Sequence, residues 1–464
     1  MERIAWTSPL PAVGSGFSVV MAERILREAD TLDLPAAWDR LGLGHPSRRV
    51  SAYPARHRLA AVLAGLACGL KGSAPGNTFL RPNTALQARL SGRFPDQGTI
   101  HRWLDQVTPT QADQLRDHLH AVVRQHGRFW QVLWSGEQLV VDVDGQGLVA
   151  RGPHFERATV GYLGEGLDRG YIRYVCYAGQ THEVLDEHVV PGNQTLMSQL
   201  PGLLEALDTV IPRADRDRVL LRGDAHLGTI GNLRDCRRHG YHYLCPLQSW
   251  SAVERLRQAV QGRRGGRFEE TDSAGRSHRV QFWVVPRWQL RGKGKQRRLV
   301  TRATVYCDRV PGQKERWTVL VSDLKRQKGR RLWQRYHERG GTIEEYNDQA
   351  ERAYHLEVVR TGHYEGLRAL HSLIGLCWDL TRWATEELRL PPLPAPQAAR
   401  AAWQAAGSLD LSAVLARAAH SGLRLSRQRP GATLEVEDTA STAESLAWRQ
   451  WLQQPIQLRL HLTG

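Results

Sequence analysis

The chain has 464 residues, of which 41% are hydrophobic and 24% are charged, values typical of a folded protein with two or three domains. Lys and Arg number 63 against 47 Asp and Glu, so the formal net charge is +16 and a polyanionic partner is expected. The six cysteines are scattered without a CxxC pair, which argues against a structural zinc site and indicates a reducing compartment.

The positive charge is concentrated in one stretch of the chain. Residues 251–340 contain 24 Lys and Arg against 8 Asp and Glu, so this stretch carries the whole net excess. Such clustering favours a phosphate-binding face, because phosphate contacts dominate the affinity of proteins for nucleic acids. A generally basic, solvated surface is the alternative interpretation.

Helical patterns dominate the N-terminal part, after a loose arm over residues 1–21. Apolar residues recur at helical spacing over residues 22–130, which predicts an all-α domain. The most apolar run, Leu59–Leu70, is too short to span a bilayer, so we expect a buried helix there. Thr108-Pro109-Thr110-Gln111 is a capping box that begins a further helix, and Gly127 is placed to end it.

A short helix is also predicted at Gly98–Leu104, after a turn. It contains Arg102 and could be the second helix of a helix-turn-helix that enters a DNA groove. A helix of a bundle that packs on the next domain is an equally good interpretation.

Strand patterns begin at Gln138 and return to helix after Tyr336. The predicted strands are Leu139–Asp144, Tyr171–Tyr177, Arg218–Leu221, Tyr241–Cys245, Arg279–Val285, Leu299–Cys307 and Arg316–Ser322. The predicted helices are Leu196–Val210, Glu344 to about Val359, and Tyr364–Leu388. A stiff proline-rich linker over residues 391–396 then leads to a C-terminal region that the pattern does not assign.

Acidic residues stand at the ends of apolar segments, where packing alone would not place them. Asp142 and Asp144 interrupt one strand and project from the same face, roughly 7 Å apart. Asp224 ends a second strand, and Glu344 begins a helix. Carboxylates gathered in this way could bind a pair of Mg²⁺ or Mn²⁺ ions. Each acid taken alone is as well explained as a turn cap or as a favourable charge at a helix N-terminus.

The residues around these acids resemble the DDE transposases of bacterial insertion sequences, within the insertion-sequence-four superfamily and its relatives. The first motif of that family matches Val141-Asp142-Val143-Asp144, and its R-A-D-like strand end matches Leu221-Arg222-Gly223-Asp224. Its Y-x-x-R…I-E-E signature matches Tyr336, Arg339, Ile343, Glu344 and Glu345. The resemblance covers about residues 22–385, and the order and spacing of the motifs make it specific.

The resemblance implies an α/β fold, in which an RNase H-like catalytic core is interrupted by a β-rich insertion and preceded by an all-α N-terminal domain. The 120 residues between Asp224 and Glu344 exceed what the core needs, so the insertion is placed there. The expected parts are a flexible arm (1–21), a helical DNA-binding domain (22–130), the core (131–248 and 332–390), the basic insertion (249–331) and a C-terminal region (391–464).

The resemblance also implies the chemistry. Asp144 is expected to bridge two Mg²⁺ or Mn²⁺ ions, Asp224 to hold one and Glu344 the other, with Asp142 as the alternative to Asp144. Cleavage would free a DNA 3′-OH, which then attacks target DNA. The expected partners are double-stranded DNA at transposon ends and target, and a second copy of the chain, in the cytoplasm at the nucleoid. A catalytically inactive DNA-binding derivative and a nuclease of the same fold are the alternatives.

The resemblance assigns Tyr336 and Arg339 to DNA contact near the cut end. The basic residues of two predicted loops would neutralise phosphates without reading sequence, unless these loops are merely solvated: Arg291, Lys293, Lys295, Arg297, Arg298, Lys325, Arg326, Lys328, Arg330 and Arg331. Trp250, Trp283 and Trp288 could stack on a base, although a core position is the commoner role of tryptophan. This sequence departs from the family in having one more residue between Arg339 and Glu344.

Overall fold

The computed structural model describes residues 18–43, 53–164, 166–272, 275–291, 298–324, 327–356 and 359–386, with shorter pieces at 418, 423–426, 434–438, 448–449 and 452. The arm before residue 18, the linker over 391–396 and the centres of both basic loops lie outside these residues. No described helix is long and apolar enough to cross a membrane. The chain divides into two compact units, which are described separately below.

The first unit is helical. It contains residues up to Leu115, the short stretch Gly152–Glu156, and residues from Asp348 onward. Its helices, two of which continue into the second unit, are α1 (Val20–Thr31), α2 (Leu34–Arg40), α3 (Ala55–Ala67), α4 (Ala74–Phe79), α5 (Thr84–Arg89), α6 (Gln97–Leu104), α7 (Pro109–His126), α13 (Ile343–Tyr354) and α14 (Tyr364–Glu386). The core of this unit forms where α1, α3 and α14 pack together, and a small two-stranded sheet is formed by β11 (Leu423–Ser426) and β12 (Glu435–Asp438).

The second unit is mixed α/β and is built on one sheet. Ten strands of the described chain join this sheet: β1 (Leu139–Val149), β2 (Thr159–Tyr162), β3 (Leu167–Ala178), β4 (Glu183–Pro191), β5 (Val219–Gly223), β6 (His242–Pro246), β7 (Gly266–Thr271), β8 (Ser277–Arg291), β9 (Arg298–Arg309) and β10 (Arg316–Ser322). Its further helices are α8 (Phe129–Trp134), α9 (Leu196–Val210), α10 (Ile230–His239), α11 (Trp250–Val260) and α12 (Gly329–His337).

The strand order gives this sheet two halves. In the first half, β4, β3 and β1 are antiparallel neighbours, and β5 and β6 follow parallel to β1. In the second half, β10, β9, β8 and β7 continue from β6 as antiparallel strands. The residues predicted as a β-rich insertion therefore extend the same sheet, so that apolar residues of both halves share one core, among them Val140, Leu220, Tyr306 and Trp333.

Strong sequence patterns located most elements, and the misses have a physical reason. The helix at 196–210 and the strand at 316–322 have the predicted bounds. Strands β2, β4 and β7 and helices α8, α10, α11 and α12 were not predicted. Helix α12 contains Arg330 and Arg331, so their predicted position in a loop was wrong. Strand β4 is buried except at its last residue, yet it contains four charged or ionisable side chains, so it lacks the apolar alternation of an ordinary strand.

Buried ion pairs explain how β4 tolerates that composition. Asp186 accepts two hydrogen bonds of 2.7 Å from Arg116 and one of 2.8 Å from His120. Burial opposes ionisation most strongly, but Arg116, His120 and His188 outweigh it and hold the pKa of Asp186 well below its usual value. Partners on distant elements thus make charged residues compatible with a central strand.

The predicted capping box is present at the start of α7. The Thr108 hydroxyl accepts from the Gln111 amide N–H at 3.3 Å, and the Gln111 side chain accepts from the Thr108 amide at 3.1 Å. Two amide groups that the helix itself leaves without partners are thereby satisfied, and α7 ends at His126, directly before Gly127.

We expect Thr108→Ala to lower the free energy of unfolding by about 1 kcal/mol, because an N-cap hydrogen bond is lost. Thr110→Ala, two positions into the same helix, is the matched control and should have a smaller effect. Urea denaturation followed by circular dichroism measures both. Equal losses in the two variants would show that the cap contributes nothing.

Candidate active site

Two of the predicted acids lie side by side where the pairing of β1 with β5 stops. The last paired residues are Val143 and Gly223, so Asp144 and Asp224 follow directly on the two parallel strands. The predicted end of the first strand at Asp144 was wrong, because β1 continues to Val149 as a partner of β3. The two carboxyl groups interact electrostatically. Burial is the largest influence and raises the pKa of Asp144, Arg339 opposes that rise, and Asp224 adds to it. The structure therefore brings two of the three acids together.

Asp144 is held from two sides by residues of the segment that follows α12. Arg339 donates to its Oδ1 at 2.6 Å, and the side-chain amide of Asn347 donates to its Oδ2 at 3.0 Å. Gly145 lets the ring of Tyr174 lie close beside the same strand, since a Cβ at this position would be 2.6 Å from the ring. Both oxygens of Asp144 are thus oriented before any ligand binds.

Glu344 reaches Asp144 only through Arg339. Its Oε1 lies 3.5 Å from Nη1 of Arg339, whereas its side chain is 60% exposed to solvent. The guanidinium group of Arg339, a residue that is only 7% exposed, therefore lies between the first and third predicted acids. Asp144 and Glu344 are thus linked in a row by one cation, and Asp224 lies beside Asp144 on the neighbouring strand.

Carboxylate oxygens are the donor type that Mg²⁺ and Mn²⁺ prefer, so the residue types fit such an ion. In the described part of the chain, however, no three or more acidic, histidine or cysteine side chains are grouped closely enough to hold a metal. The position between Asp144 and Glu344 attracts a cation, and Arg339 supplies it. The acids fit a divalent ion only if this arginine withdraws.

Asp142, the predicted alternative to Asp144, serves as a structural ion-pair partner. It is fully buried and receives bonds of 2.5 and 2.8 Å from Nε and Nη2 of Arg222, its neighbour across β1 and β5. The Thr342 hydroxyl donates to the same carboxylate at 2.5 Å. Both oxygens of Asp142 are thus engaged within the fold.

A buried network behind Asn347 fixes the orientation of its amide. Arg173 donates to the Asn347 side-chain oxygen and, at 2.9 Å, to Gln146. Arg173 also lies 3.4 Å from Glu187 and over the ring of Tyr346. Because the oxygen of Asn347 accepts from Arg173, its nitrogen must face Asp144.

Sequence reasoning missed Arg222, Thr342, Asn347 and Arg173 as parts of this site. Arg222 and Asn347 each lie within three residues of a predicted acid, and that proximity was the available signal. Arg173 lies in a strand far along the chain from the motifs, so no local pattern could identify it. His226 is exposed, and its backbone N–H donates to Asp224 at 2.8 Å.

The predicted DNA-contacting residues are distributed unevenly. Tyr336 is partly buried against the hydrophobic core of the sheet, and Arg339 lies in the acidic row. The exposed residues are Arg102, Arg298, Lys328, Arg330 and Arg331. Lys293, Lys295, Arg297, Lys325, Arg326 and the side chain of Arg291 lie outside the described residues.

The three tryptophans differ in exposure. Trp250, at the start of α11, is 77% exposed. Trp283 is partly buried, stacks on Trp317 at 5.7 Å and donates to the Arg263 carbonyl. Trp288 is partly buried. For Trp283 the core interpretation fits better than base stacking, whereas Trp250 presents a free face.

We expect Asp142→Asn to lower the free energy of unfolding by about 3–5 kcal/mol, because it leaves the buried charge of Arg222 without its counter-ion. Arg151→Gln, which breaks the exposed Arg151–Asp168 pair, is the control and should cost much less. Chemical denaturation measures both. A similar small loss in the two variants would contradict a structural role for the buried pair.

Comparison with known proteins identifies the family of this chain. A family model described as transposase DDE domain group 1 matches residues 46–361, more than half of the chain. A search of curated proteins finds no significant match. One similar solved structure is described as a cryo-EM structure of the piggyBac transposase synaptic complex with hairpin DNA; it is 10% identical, with a TM-score of 0.41, and the match covers 96% of this chain and 83% of that one. On the strength of the family match, this chain belongs to the transposase DDE domain group 1 family.

Proposed function

We propose that this transposase cuts DNA at transposon ends and joins the freed 3′-OH to target DNA, using two Mg²⁺ or Mn²⁺ ions bound by Asp144, Asp224 and Glu344. One observation carries the proposal. Asp144 and Asp224 lie side by side where β1 and β5 cease to pair, and Glu344 is joined to Asp144 through a single buried cation. Such a row of carboxylates in a transposase is best explained by phosphodiester chemistry.

We further propose that the first half of the sheet is an RNase H-like core. The order β4-β3-β1-β5-β6, antiparallel up to β1 and parallel thereafter, supports this assignment. The motif order also supports a relation to the insertion-sequence-four superfamily. The domain limits predicted from the motifs remain proposals.

The chain's own residues would position the reaction. Two bound divalent ions would supply charge stabilisation for the attacking and leaving oxygens of a phosphodiester. Asp144 would hold both ions, Asp224 one and Glu344 the other. Asn347 fixes the rotamer of Asp144. Thr342, which directly precedes the helix that carries Glu344, is bonded to buried Asp142 and so fixes the start of that helix. Residues that hydrogen-bond to metal-binding side chains in this way keep those side chains in the orientation that binds the ion.

DNA would lie along the basic second half of the sheet. The exposed cations Arg298, Lys328, Arg330 and Arg331 support this placement, as does the concentration of the net charge in residues 251–340. Arg102 on α6 is a second contact candidate, and Trp250 is preferred to Trp288 for base stacking because its ring is exposed. Paired-end cutting would require a homodimer on DNA, acting at the nucleoid.

We expect Asp144→Asn, Asp224→Asn and Glu344→Gln each to reduce Mg²⁺-dependent nicking by more than about 100-fold. Mutation of a residue that merely orients a metal ligand already lowers metal affinity or activity by about 10–100-fold. DNA binding should persist in all three variants. Nicks are mapped on DNA that includes the sequences flanking the protein's own coding region.

Asp168→Asn is the matched control, because Asp168 is a carboxylate on the same sheet that forms an ion pair with the exposed Arg151. It should cut like the unmodified protein. Undiminished nicking by Asp224→Asn would overturn the assignment. Nicking without strand-transfer products would indicate a nuclease, and binding without nicking a DNA-binding derivative.

We expect the combined substitution of Lys328, Arg330 and Arg331 by Gln to weaken DNA binding and to reduce the slope of log K against log salt by roughly 2 to 3, because each phosphate contact contributes about 0.9. A variant with Gln at exposed Arg151, Arg213 and Arg238 changes net charge equally and is the control. Titration at several salt concentrations measures the slopes. Equal slopes in the two variants would place the DNA elsewhere.

A further inference from the structure

Arg339 occupies an unusual position for an arginine that the family resemblance assigns to DNA contact. The residue is 7% exposed, and its guanidinium group lies 2.6 Å from Asp144 and 3.5 Å from Glu344. Its Nε is buried and has no hydrogen-bond partner among the described residues. The side chain is therefore positioned by two carboxylates rather than by a complete set of hydrogen bonds.

The surrounding charges explain why the guanidinium stays there. Burial is the strongest influence on Arg339 and lowers its pKa, but Asp144, Asp142 and Asp224 together outweigh it and raise the pKa. Without a cation, Asp144 would face Asp224 alone in a buried setting. The arginine thus neutralises repulsion between acids that must later share a divalent ion.

A divalent ion and this guanidinium cannot both occupy the space between Asp144 and Glu344. Both are cations, both use the same carboxylate oxygens, and their repulsion would be weakly screened at a buried site. Arg339 must therefore leave Glu344, and at least one oxygen of Asp144, before these acids can bind metal.

Such a movement requires a change of the Arg339 side chain alone. Arg339 lies in a short 3-10 turn, Glu338–Gly341, that ends in the exposed pair Gly340-Gly341. Its backbone carbonyl accepts from the Thr342 amide at 3.1 Å, and the Thr342 hydroxyl donates to Asp142. The backbone of the turn and the start of the helix that carries Glu344 can therefore stay in place when the guanidinium leaves.

We infer that Arg339 is a built-in counter-ion that competes with the divalent metal for Asp144 and Glu344, and so opposes metal loading until a stronger anionic partner draws it away. DNA phosphate is that partner in the proposed function, on which this inference rests. The free protein should accordingly bind metal weakly, and loading should be coupled to DNA.

The test is titration of the full-length, DNA-free protein with Mn²⁺, followed by electron paramagnetic resonance of the unbound ion. We expect Arg339→Gln to bind Mn²⁺ about tenfold or more tightly than the unmodified protein, because tenfold corresponds to only about 1.4 kcal/mol. Arg339→Lys keeps the charge but cannot bridge two carboxylates, so its affinity should be intermediate. Thermal unfolding checks that each variant is folded.

A second substitution identifies the site that is measured. The gain in affinity should disappear in Arg339→Gln combined with Asp144→Asn. If Arg339→Gln binds no more tightly than the unmodified protein while Asp144→Asn abolishes binding, the counter-ion role is overturned and the proposed metal site stands. If Asp144→Asn leaves binding unchanged in every background, the proposed site fails together with the inference.

Discussion

The buried ion pair between Asp142 and Arg222 is the constraint on which the rest of the site depends. It joins β1 to β5 at the positions just before Asp144 and Asp224, and Thr342 extends it to the start of the helix that carries Glu344. Three segments that are far apart in the chain are thereby fixed at one edge of the sheet. Because a buried charge without its partner is costly, these segments are difficult to separate.

The second half of the sheet connects the basic segment of the chain to the acidic site. Strands β7–β10 continue the sheet beyond β6, and α12 returns the chain from that extension to the turn that contains Arg339. The segment with the net positive charge is therefore covalently and structurally continuous with the acids. DNA bound along this segment would reach the carboxylates of the site, which repel its phosphates. The positive charge of Arg339, between Asp144 and Glu344, would reduce that repulsion.

The sequence was informative where the physical cause was local. Helix and strand periodicity located most elements, and the capping box at Thr108 was confirmed by both of its hydrogen bonds. The sequence was uninformative where an element depends on a partner that is distant along the chain. The buried, charged strand β4 depends on Arg116 and His120 from another element, and the network behind Asn347 depends on Arg173. Choosing Asp144 over Asp142 rested on a predicted strand end at Asp144, whereas β1 continues to Val149. The engagement of Asp142 by Arg222 is a separate observation that supports the same choice.

The most direct measurement is anomalous diffraction at the manganese edge from crystals of the protein bound to its own terminal DNA and Mn²⁺. We expect density for ions in contact with Asp144, Asp224 and Glu344, and a guanidinium of Arg339 that has left Glu344. Manganese bound elsewhere, with the Asp144–Arg339–Glu344 row intact beside the DNA, would contradict both the metal site and the counter-ion role of Arg339.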